Sequence, residues 1–124
     1  MSLIYLMLGT RPDLAFSINK LDQYATAPIQ RHWIEVKRII RFVKQTSCME
    51  LVLRKRLVRM PMCLIGYFDV AYMDDSRDRY SMMGYIFFYS QCAISWASKK
   101  QHTIALSTTE AEYLAGTEAT KESM

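Results

Sequence analysis

The chain is 124 residues long with a formal charge of +4, enough for one domain with a real core and too short for two full ones. Hydrophobic residues make up 51% of it and charged residues 23%, which excludes a disordered polyelectrolyte and fits a globular class. The modest positive charge permits a polyanionic partner without demanding one.

Cys48, Cys63 and Cys92 lie far apart with no Cys-x-x-Cys pair. An odd, dispersed set argues against a disulfide framework and against a zinc site, and predicts reduced, mostly buried thiols in an intracellular protein. The apolar run Leu3–Leu8 has no basic flank and is too short to span a bilayer. No other apolar stretch approaches about 18 residues without a charge, so no membrane partner is expected.

The first 46 residues read as helical. Pro12 opens LAFSINKLDQYATAP, with Leu14, Ile18, Leu21 and Ala25 at helical spacing. Proline suits a first turn, where its missing N–H has no partner to lose, and Asp13 adds a carboxylate at the positive end of the dipole. Thr26-Ala27-Pro28 stops this helix, because the residue before a proline is pushed out of α geometry. A second helix follows in QRHWIEVKRIIRFVKQT, where Trp33, Val36, Ile40 and Val43 form a stripe widened by Ile39 and Phe42. Lys37, Arg38, Arg41 and Lys44 are read as its opposite face, with Arg31 near its start. The plain reading is a solvated face on a packed helix. The functional one is a helix laid along a nucleic-acid backbone.

Between residues 29 and 59 the chain carries Arg31, Lys37, Arg38, Arg41, Lys44, Arg54, Lys55, Arg56 and Arg59 against Glu35 and Glu50. Nine cations against two acids give +7 there. The whole chain is +4, so the remainder sums to −3. That asymmetry points to a phosphate-facing first half.

From about residue 48 the period changes from helix to strand. MELVLRKR reads as an edge strand, and MCLIGYFDVAY, a near-continuous apolar run, as a buried central strand. The polar MDDSRDRYS makes a turn. SMMGYIFFYSQ and CAISWASKKQ follow as two strands with alternating Tyr85/Phe87/Tyr89 and Ile94/Trp96/Ser98. Ser90-Gln91 is read as their tight connection, although without the Asn-Gly such turns favour. The last segment, LSTTEAEYLAGTEATKES, is a helix. Ser107 stands as N-cap with Glu110 three residues on, a capping-box spacing, and Gly116 suggests close packing. The class is α+β, with helical residues 1–47 followed by a strand-and-helix region at 48–124.

Asp69 on a strand and Glu112 one turn into a capped helix are individually unspecific, since an Asp at a strand end is often a turn residue and a Glu there often serves the dipole. Together, a strand Asp, an antiparallel hairpin and a helix Glu form a pair able to offer oxygen ligands to divalent metal. Two such metals activate water and steady the leaving oxygen in phosphodiester hydrolysis.

GTRPDLAFSINKLDQYATAP, HWIEVKRIIRFVKQT, GYFDVAY, GYIFFYSQCAISWASKKQHTIALS and STTEAEYLA follow one another as five ordered blocks. In this the chain resembles the C-terminal part of copia-type retrotransposon polyproteins over nearly its whole length. The resemblance implies that residues 1–47 correspond to the end of a reverse transcriptase and 48–124 to part of a ribonuclease H-like fold. It also implies catalytic and Mg²⁺-binding roles for Asp69 and Glu112, and an RNA–DNA hybrid or other nucleic acid as partner, for which the charge pattern offers Arg31, Lys37, Arg38, Arg41 and Lys44 as contacts. The family's third and fourth acids come later than this helix, beyond Met124, so the expected state is a fragment without independent catalysis.

The chain departs from the family pattern at Ala71 and Tyr72, where the family has an Asp and a Trp, at Asp74-Asp75, and at Arg79–Met83. These departures resemble a degenerate copy. Two alternatives stand beside that reading: a non-catalytic nucleic-acid-binding module, and a chain similar to copia-like secreted RxLR-type effectors. The second asks for a signal peptide and an Arg-x-Leu-Arg motif, whereas LVLRKRLVR orders its arginines and leucines differently. A cytoplasmic or nuclear location is therefore expected, not export.

Overall fold

A computed structural model describes residues 2–53, 63–72 and 79–124. The chain divides into two compact units, Met1–Val52 and Leu53–Met124.

The first unit is helical. Helix α1 spans Ser2–Gly9, a 3-10 turn covers Pro12–Leu14, α2 spans Ala15–Asp22 and α3 spans Gln30–Gln45. Its core is small: Met7, Leu14, Ala15 and Ile18 are the buried apolar residues. The expected first helix is thus shorter at both ends. Pro12 opens a 3-10 turn, and α2 ends at Asp22 in successive i→i+3 bonds from the N–H groups of Tyr24, Ala25 and Ala27. Ala25, at helical spacing from Leu14, Ile18 and Leu21, lies beyond the end of α2 and is exposed. The apolar run at the N-terminus, inside the stretch read as helical, forms α1. No described helix is long and apolar enough to cross a membrane.

One buried cation organises this unit. Arg11 donates a fork of hydrogen bonds to Asp13, Nε to Oδ1 at 2.9 Å and Nη2 to Oδ2 at 2.8 Å. It also reaches Thr46 at the end of α3, with Nη1 on the carbonyl at 3.2 Å and Nη2 on Oγ1 at 2.8 Å. Its guanidinium lies 5.7 Å from the centroid of the Phe42 ring. A guanidinium at a helix C-terminus meets carbonyls with no helical partner, where the dipole favours positive charge. The pairing raises the Arg11 pKa and holds the Asp13 carboxyl below the usual range, chiefly through the hydrogen bonds between them.

The second unit is a three-stranded antiparallel sheet with a helix on one face. Strands β1 (Leu64–Ala71), β2 (Met82–Tyr89) and β3 (Cys92–Lys100) lie in the order β1-β2-β3, and α4 (Thr108–Ser123) packs chiefly on β1 and less on β2. The α+β class is as the sequence predicts. The β2–β3 connection is Ser90-Gln91, both at positive φ (50° and 66°), the geometry of a type I′ turn built without Asn or Gly. Phe87 pairs with Ser95 and Phe88 with Ala93, leaving Ile94 as the extra residue of a bulge.

Cross-strand partners share a face. Gly66 pairs with Phe87 and Phe68 with Tyr85, and these four lie on the side under α4. There Ala111, Ala115 and Ala119 are buried, one per helical turn. Small residues let the helix approach the sheet closely, and a Cβ on Gly116 would stand 3.2 Å from Phe68 Cζ. Ser107 Oγ accepts the N–H of Glu110 at 3.1 Å, as the capping motif predicts. The return arm differs: Glu110 Oε2 accepts from the Leu106 N–H at 2.7 Å, one residue before the cap. Gln101 fastens the far end, its N–H on the Ser81 carbonyl and its Nε2 on that of Ala111.

Three expectations need correction. The apolar run Leu64–Ala71 is not a buried central strand. It lies at the edge of the sheet with every residue but Val70 exposed, because α4 covers one of its faces only and no described strand pairs on its outer side. Residues 49–53 of the expected edge strand have no strand geometry, and its remainder, 54–56, lies outside the described residues. The thiols are not mostly buried: Cys48 and Cys63 are exposed and Cys92 alone is buried. The expected 73–81 turn falls mostly outside the described residues, as do Asp74 and Asp75.

Candidate functional site

Asp69 is the sixth of the eight residues of β1. Strand alternation puts it with Ile65, Tyr67 and Ala71, on the face turned away from α4. Its cross-strand partner is Gly84, so no side chain stands opposite. Oδ1 accepts the N–H of Val70 at 2.8 Å, and the residue is exposed.

Glu112 is exposed in the second turn of α4. Its level follows from two contacts. Gly116 sits against Phe68, and Glu122 Oε1 accepts from Ser95 Oγ at 2.8 Å, level with Gly66 through the Phe87 pairing. The helix therefore runs antiparallel to β1. Glu112, one turn or about 6 Å before Gly116, comes level with Val70, two strand residues or about 6.6 Å beyond Phe68. The fold thus brings the two carboxylates to the same end of β1, but from opposite sides of the sheet. Among the described residues no three His, Cys, Asp or Glu side chains group so as to hold a metal ion. Magnesium asks for near-octahedral oxygen coordination and, in hydrolysis, commonly for a pair of ions. Two carboxylates on opposite faces of an edge strand do not fit that requirement.

The expected basic contacts all lie on α3. Arg31, Lys37, Arg38, Arg41 and Lys44 are exposed, and Arg38 meets Glu35 at 3.5 Å in an exposed pair of small energetic weight. Arg54, Lys55, Arg56 and Arg59 lie outside the described residues. The two faces divide differently from the sequence reading. Val36, Ile39 and Val43 are half-buried, whereas Trp33, Ile34, Ile40 and Phe42 are exposed. At about 100° per residue, Lys37 and Lys44 stand within about 40° of Trp33, beside it and not behind it. Lys37 Nζ lies 5.3 Å from the Trp33 ring centroid.

Sequence reasoning missed Arg11, which looks like part of a turn in GTRPD and is the clamp of the helical unit. The Arg-x-Asp spacing was its one signal. It also missed an apolar groove of about 490 Å³ between α1, α2 and the first turns of α3, lined by Leu3, Ile18, Leu21, Ile29, Val36 and other residues. Tyr24 and His32 stack beside it with ring centroids 4.1 Å apart.

Comparison with known proteins supplies what this geometry does not. The chain is 40% identical over 123 residues to secreted RxLR effector protein 161 of Plasmopara viticola, covering 99% of this chain and 84% of that protein. It is also 40% identical over 123 residues to the Pol polyprotein of transposon TNT 1-94 from Nicotiana tabacum. The chain belongs to one family with that effector protein and with a region of copia-type Pol polyproteins. A further relative, the Pol polyprotein of transposon RE2 from Arabidopsis thaliana, is 39% identical over 112 residues. This chain spans 9% of the first Pol polyprotein and 7% of the second. No protein-family profile and no solved structure matches it.

Proposed function

We propose that the chain corresponds to the stretch of a copia-type polyprotein where reverse transcriptase meets ribonuclease H, and that by itself it does not cleave RNA. The observation carrying this reading is the placement of Asp69 and Glu112. By resemblance they match the strand and helix acids of ribonuclease H-like folds, yet strand alternation turns Asp69 to the face away from the helix that carries Glu112, and no third ligand stands with them among the described residues. No metal-dependent step is derived from such a pair. The test is cleavage of an RNA–DNA hybrid by the purified chain in Mg²⁺. No cleavage above a buffer blank is expected. Turnover abolished by Asp69→Asn and by Glu112→Gln refutes the reading.

A second role, non-catalytic binding of nucleic acid, is supported by the exposure of all five cations of α3. It calls for affinity that falls steeply with salt as counterions are released, and for weaker binding after Arg38→Ala with Arg41→Ala. The name of the Plasmopara viticola relative supports a third role, secreted effector, which export of the chain from its source cell would favour.

A further inference from the structure

Within the nucleic-acid-binding reading, on which this inference rests, the observations reach further than charge. A duplex offers phosphates outside and hides its bases. A single strand offers both, and its readers combine cations with an exposed aromatic on which a base stacks.

Helix α3 has both parts on one flank. Five cations against the single acid Glu35 make it complementary to a polyanion. Trp33 is 51% exposed, unusual for the largest apolar side chain in a unit with so small a core. Lys37 follows one turn later and Lys44 three turns later, about 6 Å and about 16 Å along the axis on the side of Trp33. Arg41 stands within about 80° of the same line. The 5.3 Å separation of Lys37 Nζ from the Trp33 ring puts an ammonium and a π face within reach of one nucleotide. The half-buried Val36, Ile39 and Val43 lie on the flank of Trp33 away from Lys37 and Arg41, and Trp33 borders the apolar groove with Val36 and Ile39, so the half-exposed ring stands between the groove and the cations.

We infer that this flank of α3 is a site for single-stranded nucleic acid, in which a base stacks on Trp33 while Lys37, Arg41 and Lys44 meet the phosphates. The ring supplies a sequence-tolerant contact, because every base has a π face. The lysines and the arginine set the path of the backbone and give the binding its salt dependence.

The test uses the full chain with Trp96→Phe, so that Trp33 alone fluoresces, and three probes of equal phosphate number: oligo(dT), its abasic counterpart and a DNA duplex. Oligo(dT) is expected to quench Trp33 and to bind more tightly than either other probe. Trp33→Ala weakens oligo(dT) binding about fivefold or more, the lower end of base–aromatic stacking, and leaves abasic binding unchanged. Trp33→Phe, which keeps a ring if the alanine variant is unfolded, retains most of the affinity. Equal binding of oligo(dT) and the abasic strand without quenching overturns the stacking site while leaving nucleic-acid binding intact. Duplex binding as tight as oligo(dT) also overturns it. Binding to anionic phospholipid vesicles with none to any oligonucleotide overturns both this inference and the reading beneath it.

Discussion

Replacing Arg11 tests the architecture of the helical unit. The side chain is buried and makes four hydrogen bonds, two to Asp13 within the turn before α2 and two that link this turn to Thr46 at the end of α3. Breaking a buried ion pair from one side costs about 3–5 kcal/mol when the abandoned charge stays buried. Here the Asp13 side chain is 31% exposed, so water recovers part of that cost, and Thr46 is half-buried and also open to water. A loss of about 2–3 kcal/mol follows for Arg11→Met, which keeps an unbranched apolar stem and removes the guanidinium from its four acceptors and from the Phe42 ring. A unit of this size holds roughly 3–8 kcal/mol in all, so the change removes a large share of its stability.

Urea denaturation followed by Trp33 emission in a Trp96→Phe background reads the helical unit directly. Arg11→Lys should recover little, because an ammonium does not reproduce the fork. A double-mutant cycle with Asp13→Asn should show coupling of about 1 kcal/mol or more. The pair also has a pH signature. The Asp13 carboxyl is held below its ordinary value of about 3.9. Its contribution is therefore complete above that value and lost as pH falls through the lower, folded one. The Arg11→Met chain should lack this acid-limb component. A destabilisation under about 0.5 kcal/mol, or an unchanged acid limb, would refute the clamp.

Other changes address the sheet. Gly66→Ala puts a Cβ against the buried Phe87 ring and is expected to destabilise by about 1–3 kcal/mol, seen as a lower urea midpoint; a neutral result contradicts the packing. Gln91→Gly relieves a side chain at positive φ in the type I′ turn and should stabilise by about 0.5–1 kcal/mol, measured in the same way. Burial, with Glu122 nearby, raises the Tyr85 phenol above its ordinary value of about 10. Its contribution is present below that pH and lost as pH rises through the folded value, so Tyr85→Phe should flatten the alkaline limb of stability.

The elements legible in the sequence were those whose own residues fix them. The period of α3, the Ser107 cap and the alternation of β2 all declare themselves locally. What stayed hidden depends on partners distant in sequence. Leu64–Ala71 reads as buried on both sides because its residues are apolar, but burial needs a second layer and a neighbour on each edge, and the described residues provide one helix and one strand. Trp33 fits the period of the packed stripe, yet it stands half-exposed at the border of the apolar groove, where Val36, Ile39 and Val43 are half-buried. Asp69 and Glu112 were singled out by motif. Their placement on opposite faces follows from Phe68 and Gly116, a contact no spacing rule contains.

The central claim, a polyprotein-derived segment that engages nucleic acid without cutting it, comes down to one incubation. End-labelled RNA–DNA hybrid is mixed with the purified chain in Mg²⁺ at a series of salt concentrations, and bound and cleaved fractions are read from the same samples. The account predicts a bound fraction that falls steeply with salt and RNA that stays full length throughout. Cleaved RNA that disappears with Asp69→Asn, or a hybrid left unbound even at the lowest salt, would contradict it.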